Sequence, residues 1–192
     1  AEQAKILLAE AEENNLGEKV LYERWRRWHT CGLCEQKYHG VVRGALGWAC
    51  WKTYLGRPEK DNTRAMAINL LAGGLYAAEN NEDALTVMEA ELATRRRLGA
   101  SENAILAAQG NLANVYQGLG QLEEALRMRR DVYSGTLKLW GEQHEDTLIE
   151  ANNYADALVN LERFEEAKSL LRRSIPVAIR VLGETDDITL RL

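Results

Sequence analysis

Residues 111–142, NLANVYQGLGQLEEALRMRRDVYSGTLKLWGE, recur 42 residues later as NYADALVNLERFEEAKSLLRRSIPVAIRVLGE at residues 153–184. Both copies carry Asn-x-Ala, Glu-Glu-Ala and Gly-Glu at matching positions. A period of this length is typical of stacked arrays, in which each small unit buries its apolar face only against its neighbours. The recurrence therefore predicts an array of helix pairs, and it directs the search for function to a repeated surface.

The same register extends along the chain as a Leu-Gly or Trp-Gly pair, whose glycines are 39, 43, 42 and 42 residues apart. These glycines are Gly17, Gly56, Gly99, Gly141 and Gly183. They predict a single array over 1–192: the second helix of a partial repeat (1–16), a divergent tryptophan- and cysteine-rich repeat (17–56), repeats over 57–99, 100–141 and 142–183, and the start of a further repeat (184–192). Because both ends cut through a unit, we expect these residues to be part of a longer array.

Each repeat has a physical logic that its residue types reveal. Small residues at helix crossings permit close packing, so Ala113 and Ala125 are expected where the two helices of one unit meet. Gly141 is expected to end the second helix in a left-handed conformation, and Asp146 or Thr147 to cap the next helix. Every unit is therefore predicted to be two helices around one turn.

Composition narrows the class of protein. Apolar residues make up 46% and charged residues 28% of the chain, and the net charge is -5. No apolar run approaches the ~20 residues of a membrane helix, and an acidic chain lacks the basic stripe of a nucleic-acid binder. Three cysteines do not make a disulfide framework. We expect a protein that neither enters membranes nor binds nucleic acid, in the cytoplasm, with an organelle interior as the alternative.

The repeats resemble tetratricopeptide repeats of the long kind found in kinesin light chains. The residues that carry this resemblance are Asn111-Leu112-Ala113, Glu123-Glu124-Ala125 and Leu139-Trp140-Gly141-Glu142, together with their copies one repeat later. The resemblance implies an all-α fold, a right-handed superhelical solenoid of antiparallel helix pairs. It also implies that the first helix of each pair lines a concave groove, in which a partner's peptide or helix lies.

Amide side chains dominate the groove positions that the resemblance implies. An asparagine offers donors and an acceptor, so a row of them can hold an extended peptide backbone without demanding a particular sequence. The alternative is that these amides only bond neighbouring repeats, because buried polar groups need partners. The candidate groove residues are Asn69, Tyr76, Asn111, Asn114, Gln117, Asn152, Asn153, Asp156 and Asn160.

Some tetratricopeptide-repeat proteins grip a partner's C-terminal carboxylate with lysine and arginine at groove positions, because a charged fork suits a carboxylate. The corresponding positions in this chain hold Ala107, Gly110, Ile149 and Asn152. The basic clamp is missing, so we expect that acidic C-terminal peptides of the chaperone type do not bind.

Cys31-Gly32-Leu33-Cys34, with His39 downstream, is the motif with most chemical potential. Zinc takes four sulfur or nitrogen ligands, so Cys31, Cys34 and His39 are zinc candidates, but a second paired half is absent. A redox dithiol is another alternative. The default interpretation is small buried thiols at a turn between two helices, with Cys50 on the second of those helices beside Trp48 or Trp51.

Aromatic residues set the same repeat apart from the others. Trp25 and Trp28, and likewise Trp48 and Trp51, are three residues apart, which is helical stripe spacing and favours a buried core over a binding hot spot. The run Arg24-Trp25-Arg26-Arg27-Trp28 interleaves basic and aromatic residues, as single-stranded nucleic-acid and acidic-lipid sites do. One short cluster is a weak signal for either ligand.

No catalytic set or cofactor motif emerges from the sequence. His29, His39 and His144 have no nucleophile at a recognisable spacing, and no phosphate-binding glycine loop is present. We therefore expect a non-enzymatic scaffold or adaptor without a cofactor, which binds a protein or peptide partner in its groove. The alternative is a structural subunit packed permanently in a larger multiprotein assembly.

Overall fold

The computed structural model describes residues 1–192, which fold into ten α-helices and one turn of 3-10 helix, with a single antiparallel β-bridge between Thr30 and Lys37. The chain forms two compact units, Ala1–Glu91 and Leu92–Leu192. The α-helices are α1 (Glu2–Glu13), α2 (Glu18–Trp25), α3 (Gly40–Tyr54), α4 (Asn62–Ala77), α5 (Asn81–Arg97), α6 (Glu102–Gly118), α7 (Leu122–Trp140), α8 (Glu145–Asn160), α9 (Phe164–Leu182) and α10 (Asp187–Arg191).

In the unit Leu92–Leu192, consecutive helices pack against one another in chain order. Helix α6 contacts α7, α7 contacts α8, and α8 contacts α9, in antiparallel pairs. Ala113 on α6 and Ala125 on α7 are fully buried, as expected of small residues at a close helix crossing. The predicted all-α fold of antiparallel helix pairs is confirmed, whereas the repeat boundaries remain predictions.

The helix starts in this unit use side chains that accept backbone hydrogen bonds. The Ser101 hydroxyl accepts from the Ala104 N–H at 3.3 Å at the start of α6. At the start of α8, His144 Nδ1 accepts from the Asp146 N–H at 3.2 Å, and the His144 ring stacks on Trp140 at 5.2 Å between centroids. The prediction that Asp146 or Thr147 caps α8 is therefore wrong, because both residues already lie inside the first turn of the helix.

Three of the five repeat-marking glycines have a backbone conformation that favours glycine. Gly99, Gly141 and Gly183 have φ values of 66°, 82° and 98°. Gly141 combines its positive φ with a ψ of 173°, so it ends α7 in an extended positive-φ conformation that only glycine adopts readily, rather than the expected left-handed helical one. Gly17 instead has φ -59° at the start of α2. The Leu-Gly marker therefore has different structural roles in early and late repeats.

The unit Ala1–Glu91 has an aromatic core. Trp25, Trp28 and Tyr54 pack with ring centroids 5.7 to 6.5 Å apart. The Cys50 side chain on α3 is fully buried in the same cluster, with Trp51 packed against its edge. These positions confirm the core interpretation for Trp25 and Trp28. It is wrong for Trp48, which is 43% exposed because it lies on the opposite side of α3 from Cys50 and Tyr54.

Glycines bring α3 and α4 unusually close together. A Cβ atom added at Gly74 would lie 2.7 Å from the Arg43 carbonyl oxygen, and one added at Gly47 would lie 2.9 Å from the Leu70 carbonyl oxygen. Real Cβ atoms essentially never approach backbone atoms this closely. The contact between the two helices therefore depends on the absence of side chains at Gly47 and Gly74.

Candidate functional site: an amide-lined cleft between α6 and α8

A cleft of about 290 Å³ opens on the unit Leu92–Leu192 where the two first helices, α6 and α8, lie side by side. One further residue reaches it from the second helix α7. The lining residues are Ala107, Gly110, Asn111 and Asn114 from α6, Arg129 from α7, and Glu150 and Asn153 from α8. The cleft therefore brings together three of the predicted groove residues, Asn111, Asn114 and Asn153.

Arg129 is a buried cation beside this cleft, and its side chain is only 7% exposed. One guanidinium nitrogen, Nη2, donates to Asn114 Oδ1 on α6, and the other, Nη1, lies 3.6 Å from Glu150 Oε2 on α8. A Cβ atom added at Gly110 would lie 3.7 Å from Nη1, so the guanidinium passes directly beneath this glycine. One side chain thus links all three helices that form the cleft.

The hydrogen-bonding capacity of this buried pair is incompletely used. Arg129 Nε and Glu150 Oε2 are both buried and have no hydrogen-bond partner. Burial lowers the pKa of Arg129, and the nearby Glu150 and Asp156 carboxylates oppose that shift. Buried polar atoms without partners are uncommon and costly, so they are a recognised sign of a functional site.

A second set of candidates forms a hydrogen-bonded cluster near the ends of α6 and α8. Gln117 Nε2 donates to Asp156 Oδ2 at 3.2 Å, and Asn160 Nδ2 donates to the same oxygen at 3.2 Å. The bond from Gln117 joins the first helices of successive pairs, as the alternative interpretation of the amides expected. Asn111 and Asn153 take no part in these bonds. The structure thus divides the candidates into a bonded cluster and a pair that lines the cleft.

The remaining candidates lie elsewhere. Asn152 is half-buried on α8 and does not line the cleft. Asn69 and Tyr76 belong to α4 in the unit Ala1–Glu91. Asn69 is half-buried, its Oδ1 atom has no hydrogen-bond partner, and Tyr76 is 39% exposed. The function of these three residues remains a prediction.

The sequence analysis missed Arg129 and Glu150, although a signal for both was present. Arg129 lies four residues after Ala125, and the residues four after Ala84 and Ala167 are Met88 and Leu171. Glu150 lies 42 residues after Ala108. Two charges of opposite sign thus stand where other repeats have apolar residues. Comparing the repeats position by position would have singled out the pair.

The cysteine motif lies in a tight hairpin before α3. Cys34 is exposed and Cys31 is half-buried, so the expectation of small buried thiols is wrong for both and correct only for Cys50. His39 precedes the first residue of α3 and is exposed. No group of three or more His, Cys, Asp or Glu side chains is close enough to hold a metal ion. The structure therefore does not bring Cys31, Cys34 and His39 together as a zinc site.

Comparison with known families identifies the repeats. Residues 105–146 and 151–187 match the family described as tetratricopeptide repeat. The fold and these two segments define the class as a tetratricopeptide-repeat protein, and the resemblance to repeats of the kinesin-light-chain type is confirmed. Folds of this class are scaffolds that interact with other proteins and are typically non-catalytic.

Solved structures with the same fold include a kinesin-light-chain-like protein from Podosopora anserina with nearly identical TPR-like repeats. It is 20% identical, with a TM-score of 0.63 over 98% of this chain and 79% of that one. BtubC (BKLC) from P. vanneervenii is 16% identical, with a TM-score of 0.65 over 77% of this chain. A Rap protein complexed with competence and sporulation factor is 16% identical, with a TM-score of 0.64 over 95% of this chain.

Two further facts complete these comparisons. The chain spans 60% of the length of BtubC and 55% of the length of the Rap protein. No curated protein matches the sequence. In addition, none of the helices combines the length and the apolar character that crossing a membrane requires.

Proposed function

We propose that this protein is a non-enzymatic adaptor that binds an extended segment of a protein partner in the cleft between α6 and α8. The observation that carries the proposal is the buried Arg129–Glu150 pair at the cleft, with a donor on Arg129 and an acceptor on Glu150 that have no partner. An extended peptide backbone supplies a carbonyl acceptor and an amide donor at every residue, and so complements both atoms.

The amides on either side of the pair fit the same kind of ligand. Asn111 and Asn153 face each other across the cleft from α6 and α8, and neither belongs to the bonded cluster around Asp156. Each offers a carbonyl oxygen and two N–H donors to a backbone. A volume of about 290 Å³ lies at the small end of ligand pockets, which suits one or two residues of a peptide better than a cofactor.

The class of protein supports a protein or peptide partner. Tetratricopeptide-repeat folds interact with other proteins, and the similar Rap protein was solved in complex with competence and sporulation factor. We propose that this chain uses its corresponding face in the same general way, in the cytoplasm and as part of a multiprotein complex. The partner's sequence lies outside what this argument specifies.

Replacing Asn111 and Asn153 together by alanine tests this proposal. Peptides are first selected from a random displayed library against the full chain, and affinities are then measured by fluorescence anisotropy. We expect the double variant to bind the selected peptides at least about tenfold more weakly, because roughly 1.4 kcal/mol of amide hydrogen bonding corresponds to that factor.

Asn103→Ala is the matched control, since Asn103 is an exposed asparagine on the same helix, α6, outside the cleft. It should bind the peptides as the unaltered chain does. Gly110→Leu is a complementary variant that fills the cleft while leaving every amide in place, and it should also weaken binding. Unchanged affinity in both Asn111→Ala/Asn153→Ala and Gly110→Leu would refute the groove proposal.

Acidic C-terminal peptides of the chaperone type are not expected to bind. The one cation at the cleft, Arg129, already contacts Glu150 and Asn114, and Ala107, Gly110, Ile149 and Asn152 supply no other positive charge. Anisotropy titration of a labelled peptide of this kind checks the prediction, with its C-terminally amidated form as the control. A micromolar complex that is lost on amidation would contradict it.

A specific observation favours the structural-subunit alternative for the other unit. Along α3, Val41 is 80% exposed and Trp48 43% exposed, while Ala45 between them is also exposed, which makes an apolar stripe at helical spacing. A permanent interface would cover such a stripe. Trp48→Glu should then abolish a stable complex that Asn111→Ala/Asn153→Ala leaves intact; the reverse pattern favours the groove.

A further inference from the structure

A hairpin between the 3-10 turn Arg26–Trp28 and α3 holds two of the three cysteines. The Tyr38 N–H donates to the His29 carbonyl at 2.9 Å, and the Cys31 N–H donates to the Gln36 carbonyl at 2.8 Å. The Glu35 N–H closes the turn on the Cys31 carbonyl at 3.1 Å, with Glu35 in a left-handed conformation, φ 57°. The backbone is thus fixed at both ends of the short segment from Cys31 to Cys34.

This turn directs both thiols to one small cluster. The Cys31 sulfur accepts hydrogen bonds from the backbone of Cys34 and Leu33, from the Cys34 thiol and from the Tyr38 hydroxyl. These hydrogen bonds lower the pKa of Cys31 to about 7. Burial and the neighbouring Cys31 raise the pKa of Tyr38, so Tyr38 keeps its proton and remains a donor.

Cys50 provides a contrast within the same chain. It is fully buried in the aromatic core beside Trp28, and burial alone raises its pKa far above the ordinary value. Reactive cysteines are accessible thiolates, whereas buried thiols in apolar surroundings are inert. The two accessible cysteines and the buried one should therefore differ sharply in reactivity.

We propose that Cys31 and Cys34 form a redox-active pair, which a low-molecular-weight disulfide of the glutathione type oxidises to an intramolecular disulfide. The Cys31 thiolate attacks one sulfur of the small disulfide, forms a mixed disulfide and releases one small thiolate. The Cys34 thiol then loses its proton to solvent and attacks the Cys31 sulfur, which closes the Cys31–Cys34 bond and releases the second small thiolate. The pair loses two electrons, and the small disulfide gains them to become two thiols.

Mass spectrometry of the full chain in a glutathione redox buffer tests this proposal. Trypsin cleaves after Arg27 and Lys37, so one peptide, residues 28–37, contains both cysteines, and a separate peptide, residues 44–52, contains Cys50. We expect the first peptide to lose two hydrogen atoms on oxidation and to regain them with a reductant. The Cys50 peptide should stay reduced in the same sample.

The order of attack is tested by single substitutions and alkylation rates. Cys34→Ser should stop the reaction at the mixed disulfide on Cys31. Native Cys31 should be alkylated by iodoacetamide roughly ten times faster at pH 7 than an ordinary thiol, with the rate rising through about pH 7 as the thiolate forms. Tyr38→Phe removes one donor to the Cys31 sulfur, so its rate profile should move to higher pH.

Three results would overturn the proposal. The first is a folded chain, verified by circular dichroism, that keeps both thiols reduced or stops at two mixed disulfides. The second is alkylation of Cys34 ahead of Cys31. The third is one equivalent of zinc that co-purifies with the chain and is lost in Cys31→Ser, because a metal held by both thiolates would remove them from exchange.

Discussion

Replacing Gly74 by alanine is expected to lower the free energy of unfolding of the unit Ala1–Glu91 by about 2 kcal/mol, in the range of overpacking substitutions. The new Cβ would lie 2.7 Å from the Arg43 carbonyl oxygen and 3.2 Å from the Gly44 Cα. Both are backbone atoms of α3, so the two helices must move apart to relieve the clash. The higher helix propensity of alanine recovers only about 1 kcal/mol of this cost.

The neighbouring residue supplies a matched control. A Cβ atom at Gly73 would meet only the Arg43 Nη2 atom, at 3.3 Å, the mobile end of a flexible side chain. Gly73→Ala should therefore stabilise the unit by up to about 1 kcal/mol through helix propensity. Urea unfolding followed by tryptophan fluorescence reports on this unit, because four of the five tryptophans lie in it. Equal effects at the two glycines would contradict the close approach of α3 and α4.

Arg129→Met is expected to destabilise the unit Leu92–Leu192 by roughly 2–3 kcal/mol, somewhat less than the cost of breaking a fully buried ion pair. The substitution keeps much of the side-chain volume and removes the partner of Glu150, whose side chain is only 20% exposed. It also removes the donor to Asn114 Oδ1. The loss is therefore due mainly to a carboxylate left in a poorly hydrated place.

A double-mutant cycle separates that cause from a simple loss of packing. Arg129→Met/Glu150→Met should be much closer in stability to the unaltered chain than Arg129→Met alone, because no unpaired charge remains. Arg130→Met is the control: Arg130 is the next residue of α7, and its side chain is 59% exposed. It should change stability by less than about 0.5 kcal/mol. Additive effects in the cycle, measured by urea unfolding followed by circular dichroism, would show that Arg129 and Glu150 do not interact.

These variants also bear on why the pair is present. Repeats on either side have Met88 and Leu171 in the register of Arg129, so an apolar residue is structurally acceptable there. If Arg129→Met/Glu150→Met folds stably but no longer binds the selected peptides, the pair is present for recognition rather than for stability. Unaltered binding by this double variant would remove the pair from the proposed function while leaving the test of Asn111 and Asn153 intact.

Several features of the site could be predicted from the sequence, and others depended on contacts between helices. Asn111 and Asn153 were predicted from their 42-residue spacing, since equal positions in stacked repeats lie on one face. Gln117 and Asp156 were predicted on the same basis, yet they bond to each other. The choice between a bonded and an open amide depends on distances of an ångström or less, which spacing along the chain does not specify.

The sequence by itself determined the class of protein, the helix pairs and the face that carries the amides, because each of these follows from local helix periodicity repeated at a fixed interval. Only the tertiary structure showed that Arg129 reaches from α7 to Asn114 and Glu150, that Trp48 is exposed, and that Gly47 and Gly74 allow α3 and α4 to touch. Those features arise where residues far apart in sequence meet, and their energies depend on burial and on atomic distances that only the packed helices define.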